Sequence, residues 1–527
     1  MSFVQSPLTR PWPARFVFAF VAACTIAKFA AMLGVGLEHD EGYTIVVSRM
    51  LALSYFDHPP LHQWIVHGFD ALFGESRWTR APFFVLLVAT NYPLYRMTAL
   101  LFGREAGLWA IFAFNATAYF VMLPDGYIIP DCPMLLMLAS AGWGLAEIIS
   151  DEAPPASRST VLWLAAGASL GLAGLAKYAA AFAPIGLFGF LLFSPRHRHW
   201  LWNWRPYVGA LLALAIFSPA LFWNAEHQWI SFGFQLNRSA EHFDLSASAW
   251  LAILAALGAQ LASLTPWAGA PIVMGIWRAV RSRDPDSGER LLLWLALPTL
   301  ILFTFMPLIG QNAVPHWFNS GWLFAFPLAG RWLSEQSQDW ARKWGIVCAA
   351  LGAVLLAGYV ACLDFGPFNL IGFAPFGLRD PTLLSFDWID ISQTPQWRAA
   401  GATPPDFVVV GKVSSRGNVG IGGKVGFAIG PKTQICEFSR RPREFAYECN
   451  PQALLGKDAM LVIPKEAYGD SLAELSPYFD RVDAGQEIPI TRAGHVERII
   501  VVARAHNLVK PYPLPYGYTL EAAAAGR

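Results

Sequence analysis

The sequence predicts a multi-span α-helical membrane protein with a C-terminal soluble α/β domain. Three observations predict it. Apolar residue types make up 55% of the 527 residues and charged types only 14%, where a soluble domain carries about 25% charged residues. Long apolar runs recur along the first two thirds of the chain and are mostly near the ~20 residues that a helix needs to cross hydrocarbon. After residue 363 the composition turns to an ordinary polar–apolar mixture. The 22 tryptophans and 15 tyrosines supply amphipathic rings suited to membrane interfaces. A formal charge of +1 without a dense basic stripe argues against nucleic acid as a partner.

The first span is FVFAFVAACTIAKFAAMLGVGL, residues 16–37. It is too long for a signal-peptide core, and the EHDEG that follows is a poor cleavage site, so a retained helix is expected. Further apolar segments lie near 79–101, 106–123, 131–149, 159–175, 177–194, 207–223, 262–277, 291–308, 317–333 and 344–362. The expectation is about 11–13 transmembrane helices within a membrane domain spanning residues 1–363. The loops RHRHWLWNWR (196–205) and RAVRSRDPDSGER (278–290) are basic, as is the stretch before the first span. The positive-inside rule puts these in the cytoplasm and the 38–78 loop on the outer face. Both basic loops should share a side, and 207–223 supplies one crossing between them. Residues 244–277 should then cross once, with 244–260 lying flat or dipping in and returning.

The 38–78 loop is amphipathic. TIVVSRMLALSYF and PLHQWIVHGFDALF have apolar faces broken by polar positions, and Pro59 and Pro60 force an extended corner between them. Residues 364–527 form the expected outer α/β domain. FVVV (407–410), AMLVIP (459–464) and RIIVVARA (498–505) read as buried strands, and SLAELSPYF (471–479) as a short helix. GKVSSRGNVGIGGKVGFAIG (411–430) has no P-loop lysine–serine pair and reads as a flexible surface loop, with a lid or an acceptor contact as the alternative. Cys436 and Cys449 share this polar region, and in an oxidising compartment a disulfide between them is expected, with two free buried thiols as the alternative.

Titratable residues gather on the outer side. Asp40 and Glu41 follow the first span, and Asp57 and His58 occupy the proline corner. LPDGYIIPDCP places Asp125 and Asp131 about a proline-bounded turn, with Asp131 entering a span. A carboxylate there is costly without a partner or a task. Lys177 and Tyr178 interrupt an apolar hairpin, while Arg238 and His316 lie in other outer segments. Each taken alone has a plain explanation: a snorkelling lysine, an arginine at lipid phosphate, an interfacial acid. Together they suggest an anionic substrate held by cations beside a proton-accepting carboxylate.

The acid pair after the first span, YFDHPPLHQW, LPDGYIIPD, GLAKYAA and WNAEHQWISFGFQL resemble bacterial integral-membrane glycosyltransferases of the GT-C fold. The resemblance is to the branch that includes the protein O-mannosyltransferases and the aminoarabinose transferase of lipid A. It covers residues 12–335, and the C-terminal domain matches in position and size alone. It implies an inverting enzyme of the bacterial inner membrane, its site facing the periplasm, taking sugar from a polyprenyl-phosphate donor. The implied acceptor is a lipid or glycan of the envelope, lipid A or lipopolysaccharide core being favoured. A protein hydroxyl acceptor is the alternative, and a lipid-linked substrate transporter a more distant one. By resemblance Asp40 is the catalytic carboxylate, with Glu41 its companion and Asp131 in the second acidic motif. Lys177, Arg238, His58 and His316 are candidates for the donor phosphate, and Asp57, Tyr178 and Asp125 for support. His58 stands where the lipid A enzymes carry lysine, which departs from the pattern. A divalent cation is left open, since no tight His/Asp cluster demands one. A monomer in membrane lipid is expected.

Overall fold

The computed structural model describes residues 11–117, 126–150, 155–237, 245–311, 313–365, 388, 390–401, 405–411, 419–492 and 494–518. The membrane part is a helical bundle: α1 (Pro11–Gly34), α2 (His39–Val47), α3 (Leu61–Phe73), α4 (Ala81–Ala89), α5 (Asn91–Phe102), α6 (Arg104–Ala116), α7 (Asp131–Ser150) and α8 (Ala156–Ala176). It continues with α9 (Phe182–Phe193), α10 (Trp204–Glu226), α11 (Ile230–Asn237), α12 (Ala247–Leu264), α13 (Pro266–Arg281), α14 (Gly288–Phe305), α15 (Asn319–Ser334) and α16 (Gln338–Phe365). Among the described residues, 8 helical stretches are long and apolar enough to cross a membrane. Shorter apolar helices, among them Tyr178–Phe193, fill the bundle beside them.

Inside hydrocarbon no hydrophobic force separates helix from lipid, so close packing decides which helices meet. Along α8 and α10 this selects glycine. A Cβ on Gly167 would sit 2.1 Å from the carbonyl oxygen of Gly209, so the two backbones touch there.

The Ser194 hydroxyl donates to Asp286, which puts the two basic loops on one face of the bundle. Between those loops α10 and α12 are long and apolar enough to cross, and the 16-residue α13 leads into the second loop. The sequence predicts 244–260 lying flat or dipping in and returning, whereas α12 has the length and hydropathy of a span. It breaks from α13 at Thr265, whose φ is +59°, immediately before Pro266. At its C-terminal end Gln260 accepts from the Trp322 indole at 2.8 Å.

The C-terminal part is built on one sheet of strands β1 (Phe407–Val410), β2 (Gln434–Glu437), β3 (Ala459–Pro464), β4 (Phe479–Val482), β5 (Gln486–Arg492) and β6 (His495–Leu508). The order is β2–β1–β3–β6–β4, with β5 also on β6. The β1 pairings to β2 and β3 are parallel, and those of β6 are antiparallel. Strands β1 and β3 are buried throughout, which explains their unbroken apolar sequences. Helices α17 (Pro395–Ala400), α18 (Val419–Ile429), α19 (Phe445–Glu448) and α20 (Tyr468–Leu475) complete this part. Cys436 and Cys449 are joined in a disulfide.

The glycine-rich stretch departs from expectation. Its residues 419–429 form helix α18, which packs against α2 of the membrane part. A Cβ on Gly423 would lie 2.1 Å from the Tyr43 amide nitrogen, and one on Gly42 would meet the Gly423 carbonyl carbon at 3.1 Å. The glycines lower helix propensity, but they let two helices approach at backbone distance. Loop residues 412–418 lie outside the described residues.

Candidate active site

Helix α2 is placed by its first turn. The Glu38 carboxylate accepts from the Asp40 amide at 2.5 Å, and the Glu41 carboxylate accepts from the Glu38 amide at 2.8 Å, a reciprocal cap. Glu41 is wholly buried and meets Arg80 in a two-pronged ion pair, Nε at 2.8 Å and Nη2 at 2.5 Å. It also accepts from the amides of Tyr127 at 2.8 Å and Ile128 at 3.2 Å. Arg80 spends its other donors on the carbonyls of Met32, Val35 and Gly36, at 2.9, 2.7 and 2.8 Å. This knot joins the end of α1, the start of α2 and the 126–128 turn. Gly126 is required in that turn, because its φ is +83° and a Cβ would fall 2.5 Å from Glu41 Cδ. Asp40, next to this anchored residue, is exposed.

One turn further along α2, the Tyr43 hydroxyl donates to Asp57 Oδ2 at 2.6 Å and accepts from the Glu444 amide at 3.1 Å. Glu444, from the C-terminal part, accepts from the Phe56 amide at 2.6 Å. Phe56 stacks on Tyr516 with centroids 4.8 Å apart. Arg443 Nη1 faces Asp57 Oδ1 at 3.4 Å. The proline corner is thus held between α2 and the C-terminal part. On its other side the Gln235 amide donates to the Asp57 carbonyl at 2.7 Å.

The second acidic motif pairs with the hairpin lysine. Lys177 Nζ donates to Asp131 Oδ2 at 2.7 Å, and both side chains are nearly buried. Asn319 donates to Asp131 Oδ1 at 3.1 Å. Lys177 sits at the break after α8, with φ −156° and ψ 134°. This break turns its side chain out of the helical register. The Tyr178 hydroxyl shares a hydrogen bond with Ser231 at 2.9 Å.

These groups stand at the polar end of a cleft of ≈ 840 Å³. His58, Lys177, Tyr178, Gln235 and Trp317 line that end. The rest of the wall is apolar and runs along α8, α9 and α10 to Trp200 and Tyr207. A pocket with a long apolar wall and a few convergent polar groups suits an amphiphile with a polar head.

The structure brings Lys177, Tyr178 and His58 to this cleft, pairs Asp131 with Lys177, and links Asp57 to α2. His316 is in the turn that also bears the cleft residue Trp317. Asp125 and Arg238 lie outside the described residues. Among the described residues no group of three His, Cys, Asp or Glu side chains comes together to hold an ion. Arg80, Tyr43, Arg443, Glu444, Gln235 and Asn319 escaped sequence reasoning. Only Arg80 left a signal: a buried Glu41 demands a cation, and Arg80 stands at the start of the apolar segment that follows the outer loop. The remaining contacts join residues far apart in sequence and leave no local pattern.

The bundle, the outer loop carrying the acid pair, and the apolar cleft with a polar mouth define a membrane protein of the GT-C fold. The chain superposes on ArnT from Cupriavidus metallidurans bound to undecaprenyl phosphate with a TM-score of 0.60 and 17% identity. That superposition covers 94% of this chain and 99% of the other. The apo state of the same protein gives 0.58 and 18%. Residues 57–223 match the family model described as dolichyl-phosphate-mannose-protein mannosyltransferase. Two proteins of Rhizobium johnstonii are similar in sequence. The lipid A galacturonosyltransferase RgtD is 26% identical over 296 residues, which are 53% of this chain and 56% of the relative. The lipopolysaccharide core galacturonosyltransferase RgtB is 26% identical over 306 residues, 55% of this chain and 60% of the relative. The chain therefore spans less than two thirds of the length of each of these relatives.

Proposed function

We propose that this chain is an inverting glycosyltransferase of the bacterial inner membrane. It transfers a sugar from a polyprenyl-phosphate carrier to lipid A or lipopolysaccharide core at the periplasmic face. The chain divides at residue 363 into a catalytic membrane domain and a periplasmic α/β domain. The observation that carries this reading is the ≈ 840 Å³ apolar cleft ending at Lys177, Tyr178 and His58. An isoprenoid tail fits the apolar wall, and a phosphate fits the polar end that Lys177, Tyr178 and His58 line. The acceptor class and a uronic acid as the sugar are supported by the activities of the two relatives. The family-model match favours a protein hydroxyl as the second acceptor reading.

In the reaction, the acceptor hydroxyl oxygen attacks the anomeric carbon on the side opposite the phosphate. The bond from that carbon to the phosphate oxygen breaks, and its electron pair leaves with the polyprenyl phosphate. Cations beside that phosphate stabilise the departing charge. The acceptor proton passes to the Asp40 carboxylate. Asp40 suits this role because it is exposed at the membrane boundary while Glu38 and Glu41 fix its backbone. Glu41 holds the helix, and the Asp131–Lys177 pair holds the cleft mouth in shape. With a leaving group already activated, one base suffices, and the paired acid and base of hydrolases are not needed.

The test is transfer from a purified polyprenyl-phosphate sugar to lipid A, with a hydroxyl-bearing peptide as the competing acceptor and mass spectrometry as readout. Asp40→Asn should lower turnover by roughly a hundred- to ten-thousand-fold, with donor binding retained. Turnover near normal in that variant would move the base elsewhere, and glycosylated peptide without glycosylated lipid would replace the acceptor.

A further inference from the structure

The structure assigns Arg443, a residue of the C-terminal part, to the substrate site: we infer that its guanidinium binds an oxyanion of the substrate. This rests on the glycosyltransferase reading above. The shared chemistry is a carboxylate or a phosphate, carried by a uronyl donor or by a phosphorylated lipid acceptor.

Four observations place it. The guanidinium reaches across from the C-terminal part to Asp57 Oδ1 at 3.4 Å, a loose contact by a single Nη. Among the described residues its other donors make no hydrogen bond, and 26% of the side chain is exposed. Its plane lies over the Phe234 ring, 6.0 Å from the centroid. Phe234 belongs to α11, whose Phe232 and Gln235 line the cleft, and Gln235 holds the Asp57 carbonyl. The charge therefore stands beside the cleft mouth, next to the corner that carries His58.

The backbone beneath it is rigid in a way that a solvated surface arginine would not need. Arg443 has a φ of +48°, a conformation costly for a side chain with a Cβ. Its amide donates to the Tyr516 hydroxyl at 2.8 Å. The next residue is bonded to both Tyr43 and Phe56. The disulfide Cys436–Cys449 closes the segment that carries all of this. A forked cation with spare donors, pre-set over an aromatic ring, is suited to carboxylate and phosphate. Asp57 balances it when no substrate is bound and keeps the head aimed across the corner.

The experiment uses the full chain in nanodiscs. Donors are polyprenyl-phosphate galacturonic acid and its neutral galactose counterpart; acceptors are lipid A and dephosphorylated lipid A. Losing one charged hydrogen-bonding partner costs roughly 10- to 100-fold. Arg443→Gln should raise KM by about that factor for one anionic substrate only, with kcat little changed. An effect confined to the uronyl donor assigns the sugar carboxylate, and one confined to intact lipid A assigns the acceptor phosphate. Arg443→Lys keeps the charge but not the fork, and should recover part of the loss. Should Arg443→Gln not fold, the lysine variant alone should show a several-fold rise confined to the same substrate. Equal losses across all four substrate pairs, or none, overturn the assignment. No transfer by the unsubstituted protein with any pair would instead refute the glycosyltransferase reading itself.

Discussion

Glu41 and Arg80 illustrate how an acid read from sequence as chemistry can be held by structure. Both side chains are within 1% of full burial and every carboxylate contact is made inside the fold. Removing one partner of such a pair leaves an uncompensated buried charge and typically costs about 3–5 kcal/mol. Arg80→Met should therefore destabilise the purified protein by about this amount, seen as a lower melting temperature and a poor yield. Glu41→Gln retains the shape and some acceptor capacity, and should cost less. Arg80→Met with an unchanged melting temperature would mean that the knot at the start of α2 does not hold the bundle. The outer acids were legible in the sequence because a carboxylate is rare beside a span. Which of them is exposed, as Asp40 is, and which is caged, as Glu41 is, depends on Arg80 and on the amides of residues 127 and 128. Those partners come from distant segments, so the distinction could not be read locally.

Helices α2 and α18 were the least legible elements. Sequence periodicity found the apolar helices and the strands β1, β3 and β6, because continuous apolar runs report burial on all sides, although 8 of the described stretches, against the 11–13 expected, are long and apolar enough to cross. It assigned the glycines of 419–429 to a surface loop, because glycine disfavours helix. The structure uses them for contact instead: an ordinary Cβ at Gly423 would overlap Tyr43 backbone atoms. Gly423→Ala should thus push α18 away from α2 and disturb the Tyr43–Asp57 hydrogen bond. The expected outcome is at least a tenfold loss of transfer, in keeping with the cost of displacing a positioning group by about 1 Å. Gly469→Ala is the control: it lies in helix α20 with open space about its Cβ position. It should leave activity unchanged. Equal activity in both variants would show that the close approach of α2 and α18 is dispensable.

The two parts of the molecule meet across a seam of polar groups, and that seam should respond to pH. Glu444 is buried between Tyr43, Phe56 and Asp57, and burial pushes its carboxyl up to about 8, the Asp57 charge adding to the effect. Burial also raises Glu448 well above the ordinary carboxylate range, with Glu444 contributing. The folded protein therefore binds more protons here than the unfolded chain does between the usual glutamate value and about pH 8. Stability rises with pH only where the unfolded state binds more protons, so the sign at this seam is the reverse. The contribution of Glu444 is complete at low pH and is lost as pH climbs through about 8. Above that, a bare carboxylate faces Asp57 in a closed space, and the C-terminal part should loosen from the 55–60 corner. Melting temperature and resistance to limited proteolysis should both fall as pH rises from the usual glutamate value to about 8. Glu444→Gln keeps a carbonyl oxygen to accept from the Phe56 amide but has no proton to lose. It should reduce that pH dependence without removing it, since Glu448 still titrates. The same slope in both proteins would place the pH response elsewhere. A lessened slope would tie the attachment of the C-terminal part, and with it the placement of Arg443, to one buried carboxyl group.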